Sequence, residues 1–111
     1  MLRSNLALLA AAQKLDLSTA LRQIPSGQWK ADPSGRDAIT RPYSFVDYNT
    51  CWAFMNAVTP HIVKMDHHPE WWNCYGTLKV VLATHTCNGV SSYDVELANY
   101  MDQVAVAFSA K

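Results

Sequence analysis

Three of the four histidines in this 111-residue chain fall where acid–base chemistry could be assembled. His67 and His68 are adjacent, and His85 closes a stretch, Leu78 to His85, that reads as the clearest strand of the chain. Imidazole is the side chain whose unperturbed pKa lies near neutrality, so a group of them can both give and take protons. If Trp71 to Tyr75 and Leu78 to His85 form a hairpin about Gly76-Thr77, its open ends bring His67 and His68 toward His85. Trp71 and Trp72 are neighbours, and a strand sends neighbours to opposite faces. One of them could then stack on a flat heterocycle while the other packs inside; both could equally be core or interface aromatics.

These groups need a scaffold. Ser4 to about Ile24 reads as helical, in two pieces around Asp16-Leu17-Ser18, with Ser18 able to cap the second; Pro25-Ser26-Gly27 ends it. Trp29 to Ala31 is a short strand, Asp32-Pro33-Ser34-Gly35 a turn, and Ala38 to Val46 a strand in which Tyr43 and Phe45 alternate against Ser44. Pro42 assigns that strand to an edge or a bulge. Asp47 is placed to cap a helix on which Cys51, Met55, Val58, Ile62 and Met65 form an apolar stripe beside Phe54, and Pro60 should kink or split it. In the later strand Leu78, Val80, Leu82 and Thr84 face one way, and Lys79, Val81, Ala83 and His85 the other. Asn88-Gly89 is a turn, and Ser91 with Asp94 makes a capping-box-like pair. That pair starts a helix to Phe108, with Val95, Ala98, Met101, Ala105 and Phe108 buried.

The order helix, two strands, helix, two strands, helix predicts one α+β domain over 1–111. Its four-stranded antiparallel sheet would carry three helices packed on one face. An apolar opposite face would require a partner subunit or a ligand to cover it.

Composition narrows the function classes. Half of the chain is hydrophobic and 16% is charged, enough apolar surface for one real core. Nine basic residues balance nine acidic ones, so no electrostatic footprint points to nucleic acid or an anionic membrane. Cys51, Cys74 and Cys87 are odd in number and widely spaced, which fits a reducing, cytoplasmic or nuclear compartment rather than a disulfide framework. They read as small core residues rather than nucleophiles. Residues 1–15 carry Arg3 and Lys14 but no acid. Their short apolar run reads as an amphipathic helix capped by Ser4, with an organelle-targeting segment as the lesser alternative.

Asp66-His67-His68-Pro69-Glu70-Trp71, followed by Tyr75, His85 and Asp94 in register, resembles the central signature of the pterin-4a-carbinolamine dehydratases. Gly35-Arg36-Asp37-Ala38-Ile39, the aromatics Tyr43, Phe45 and Tyr48, Thr84-His85, Gly89 and Leu97-Ala98 resemble that family too, from about Trp29 to Phe108. The resemblance implies the same fold, dimers or tetramers, and no cofactor or metal. The implied substrate carries a hydroxyl on ring carbon 4a and a hydrogen on ring nitrogen 5; losing water gives the quinonoid dihydropterin, a step of tetrahydrobiopterin recycling. His67 and His85 would be the acid–base pair, in an order the sequence leaves open, and His68 would bind and orient the pterin. Asp66 and Thr84 would line the pocket and Pro69-Glu70-Trp71 would wall it. Asp94 would hold a histidine or a loop, besides capping its helix.

Two positions depart from the family pattern. Val63 stands where an acidic or polar residue is usual, which bears on catalytic strength, and Tyr93 stands where many members carry Arg. His61 falls outside the register and is expected as a surface or half-buried helix residue. Two rivals are a zinc site built from the three histidines with Cys74 or Cys87, and a pterin binder without activity. A third follows from animal members that also bind a transcription factor and stabilise its dimer.

Overall fold

The computed structural model describes residues 13–111. The first piece of the expected N-terminal helix lies outside the described residues. The second piece is helix α1 (Leu17–Arg22). Its cap is Asp16, not Ser18: the Asp16 carboxylate accepts the Thr19 N–H at 3.3 Å, and the Ser18 hydroxyl donates to that same carboxylate. A carboxylate one residue before the helix reaches the third amide of the first turn, whereas Ser18 is already inside that turn.

Strands β1 (Lys30–Ala31), β2 (Ile39–Ser44), β3 (Glu70–Cys74) and β4 (Thr77–Leu82) form one antiparallel sheet in the order β1-β2-β4-β3. Helices α2 (Tyr48–Met65) and α3 (Ser92–Ala107) complete the α-β-β-α-β-β-α sequence. Alternation decides which side chains enter the core. Ile39 pairs with Leu82, Tyr43 with Leu78, and Trp71 with Val80, and all of these face the helices. Phe54, Val58 and Ile62 of α2 and Leu97, Ala98 and Met101 of α3 meet them, each buried. The opposite face is mostly polar rather than apolar as expected. Lys30, Ser44, Thr77 and Lys79 are exposed there, and Trp72 is its large exposed aromatic at 56%.

Pro42 lies opposite Lys79 of β4, but β1 pairs only with Ile39 and Thr40, so β2 has an open edge at Pro42 and tolerates its missing N–H. Asp47 caps α2 through the Thr50 N–H at 2.8 Å. Pro60 does not split this helix. Pro60 and Asn56 are both exposed, so water can satisfy the carbonyl that the proline leaves without a donor. At the β3–β4 turn a Cβ on Gly76 would stand 2.6 Å from the Phe45 carbonyl oxygen, so only glycine lets the hairpin close against the start of α2. Among the described residues no helix is long and apolar enough to cross a membrane.

Candidate active site

The end of α2 aims the first histidine. Asp66 takes a left-handed conformation (φ 52°), its N–H returning to the Val63 carbonyl at 3.1 Å and that of His67 to the Ile62 carbonyl at 3.3 Å. This reciprocal closure stops the helix and turns His67 inward, where it is 7% exposed, while His68 stays exposed.

The last histidine sits differently from the expected strand end. β4 stops at Leu82 because its partners stop: Ile39 is the first residue of β2 and Glu70 the first of β3. Thr84 pairs instead with Gly89 through hydrogen bonds of 2.7 and 3.3 Å. That pairing closes a 3-10 turn, His85–Cys87, with His85 exposed on its first position.

Asp94 connects these pieces. Its side chain has no exposed surface, yet it meets three groups. Oδ2 accepts the Ser91 N–H at 2.9 Å, completing the capping box of α3, and the Thr84 hydroxyl at 2.7 Å. Oδ1 lies 2.6 Å from His67 Nε2. A carboxylate only accepts, so the proton of this bond is on Nε2, and in the neutral ring the lone pair of His67 is on Nδ1. One carboxylate therefore starts the helix and fixes the tautomer of the histidine; the two roles weighed for Asp94 coexist. Tyr93 packs its ring 5.9 Å from the His67 ring.

A cleft of about 340 Å³ is lined by Asp66, His67, His68, Pro69, Glu70, Thr84 and His85, with Ala83 and Thr86. It gathers every expected site residue except two. Asp94 stands behind His67. Trp71 does not line the cleft; it is half-buried and packs against the core, as its pairing with Val80 requires. Val63 is exposed and lines no part of it. His61 is half-buried, stacked on Tyr100 at 3.8 Å. Of the cysteines Cys51 is buried, Cys87 half-buried and Cys74 exposed, so only Cys51 is the core residue expected of all three. Burial pushes the Cys51 and Cys87 thiols up, away from the thiolate form. Among the described residues no group of three or more His, Cys, Asp and Glu side chains is placed to hold a metal ion.

The rim of the cleft is pinned by a two-pronged ion pair, Arg36 to Glu70 at 2.8 and 2.5 Å. Arg36 was legible only as part of a family-like Gly-Arg-Asp run; its pairing with the wall residue comes from tertiary structure. The Arg36 guanidinium holds the Glu70 carboxyl below its usual value of 4.5. A carboxyl depressed on folding stabilises the fold above the unfolded value, and this is lost as pH falls through the folded one. Both partners are about 40% exposed, so the pair contributes less than about 1 kcal/mol. Urea melts of Glu70→Gln should show that small loss at pH 7, shrinking as the pH is lowered below the usual carboxyl value.

The sequence profile of the pterin 4 alpha carbinolamine dehydratase family matches residues 10–104. The chain belongs to this family. It is 49% identical over 92 residues to a protein of Bradyrhizobium sp. (strain ORS 278), covering 83% of this chain and 89% of that one. It is 42% identical over 97 residues to a protein of Bordetella avium (strain 197N), covering 87% of each. Both are provisionally named pterin-4-alpha-carbinolamine dehydratases. Its fold is similar to the crystal structure of a "transcriptional coactivator/pterin dehydratase" from Brucella melitensis. The TM-score is 0.77 at 40% identity, over 84% of this chain and 99% of that one. Membership of the pterin carbinolamine dehydratases bears out the resemblance read from the histidine signature and agrees with the α+β sheet-and-helix architecture.

Proposed function

We propose that this chain removes water from a 4a-hydroxytetrahydropterin, giving the quinonoid dihydropterin for tetrahydrobiopterin recycling, with histidines as the acid and the base. The supporting observation is a cleft with unlike imidazoles: His67 anchored through Nε2 to a buried carboxylate, His85 exposed at the mouth. The C4a–O bond must break, its oxygen must gain a proton, and ring nitrogen 5 must lose one. His67 suits the base: Nδ1 holds the lone pair, and Asp94 stabilises the imidazolium formed when Nδ1 takes the proton. His85 then protonates the departing hydroxide. His68 and the Asp66–Glu70 segment hold the ring. The protein would work as a homo-oligomer in the reducing, cytoplasmic compartment its cysteines suit.

Stopped-flow dehydration of freshly made 4a-hydroxytetrahydrobiopterin tests this reading. The native chain should outpace the spontaneous reaction, and His85→Ala should lose ~10²–10⁴-fold of the acceleration. A native rate equal to the spontaneous one would sink the proposal. In that event a second reading, binding to a transcription factor, takes precedence; it rests on the coactivator role named for the Brucella melitensis protein.

A further inference from the structure

We propose that a second lobe of the cleft, formed by Lys14, Arg36, Asp37, Asn88 and Gly89, seats a neutral, hydroxylated substituent of the substrate ring and so selects among pterins. This rests on the pterin reading above, with the ring in the histidine lobe. The second lobe has a volume of about 270 Å³ and shares Ala83, Thr84 and His85 with the histidine lobe, so the two meet at His85. The Arg36–Glu70 pair joins their rims.

Its lining names the chemistry. Lys14 pairs with Asp37 at 2.7 Å and Arg36 with Glu70 at 2.5 Å, so two cations are matched by two carboxylates. A phosphate or carboxylate arriving there would find both cations engaged and two like charges beside it. A hydroxyl, which donates and accepts, fits such a wall. Asp37 keeps one acceptor unused: its Oδ1 is buried without a hydrogen-bond partner. Asp37 lines the lobe beside Lys14, which holds its other oxygen, Oδ2, and is itself 54% exposed, so a hydroxyl seated in the lobe has Asp37 Oδ1 as the acceptor left to fill. Asn88, left-handed at φ 57°, lines the same lobe with an amide that can donate and accept. Gly89 makes the floor; a Cβ there would lie 2.9 Å from Lys14 Cε and 3.0 Å from Asp37 Cγ. A methyl group in the lobe would leave Asp37 Oδ1 unpaired.

The test compares stopped-flow dehydration of two 4a-hydroxytetrahydropterins, one with a dihydroxypropyl chain at ring carbon 6 and one with a methyl group. The native chain should favour the dihydroxypropyl compound about tenfold in KM, the worth of one net hydrogen bond. Asp37→Ala and Asn88→Gly should each bring that ratio to within about twofold. Glycine adopts the left-handed turn freely, so Asn88→Gly keeps the test open if Asp37→Ala misfolds. A native ratio near one, or a ratio that survives in the folded variants, overturns the lobe assignment and leaves the pterin reading standing. If neither compound is accelerated over its spontaneous rate, the pterin reading falls and takes this assignment with it.

Discussion

Asp102→Ala should lower the melting temperature by about 12 °C or more. Strand alternation puts Arg41 on the core face between Ile39 and Tyr43, where its side chain is 10% exposed. Asp102 answers it at 2.6 Å. The same carboxylate accepts the Tyr43 hydroxyl at 2.6 Å, the Trp29 indole N–H at 3.0 Å and the Ser26 hydroxyl at 2.6 Å. Burial, and next the bond to Asp102, push the Tyr43 hydroxyl's pKa upward, so it stays a donor. Removing the carboxylate strands a buried guanidinium and the Tyr43 and Trp29 donors, while the exposed Ser26 hydroxyl turns to water. Breaking one side of a buried pair costs about 3–5 kcal/mol, against a total of about 5–15 kcal/mol for a domain. The double variant Arg41→Met/Asp102→Leu removes both charges and should recover much of the loss. Thermal melts followed by circular dichroism decide it; a single variant within about 3 °C of the native chain would show that water already solvates Arg41.

Asp94→Asn should abolish most catalysis while sparing much of the fold. The amide can keep its carbonyl toward the Ser91 N–H and the Thr84 hydroxyl, preserving the start of α3. It then presents an N–H to His67, which must accept at Nε2 and carry its proton on Nδ1, the nitrogen proposed above as the base. The dehydration rate should fall ~10²–10⁴-fold, the worth of one general base, with KM changed much less. Asp94→Ala adds the loss of the cap and leaves buried donors unpaired, at least about 2 kcal/mol of stability. Stopped-flow kinetics beside urea melts separate the two effects. A fully active Asp94→Asn would reduce Asp94 to a helix cap. The pH–rate profile is the further readout, since a cap alone would leave its shape unchanged.

Much of this architecture was readable from local rules. The Asp47 and Ser91–Asp94 caps and the stripe Cys51, Met55, Val58 and Ile62 each report a preference confined to a few neighbours, and the structure keeps them. Where local signals compete, sequence misassigned the detail. Asp16 took the cap from Ser18, Pro60 left α2 whole because its freed carbonyl meets solvent, and β4 ended three residues before His85 because no neighbouring strand reached further. The Arg41–Asp102 pair leaves only a faint trace in the sequence. Counting back two from Tyr43 puts Arg41 inward, and Asp102, four after Ala98 and three before Ala105, falls on the buried stripe of α3.

By itself the sequence determined the class of elements, the apolar faces that pack them and the histidine signature, because periodicity, caps and motif spacing are written in neighbouring residues. Tertiary structure alone decided that Asp94 grips His67 rather than a loop, that Arg36 pins Glu70, and that Trp71 turns into the core. These contacts join residues 27 and 34 positions apart for the two pairs. Sheet register and the crossing of α2 and α3 set their distances, and no local preference encodes either.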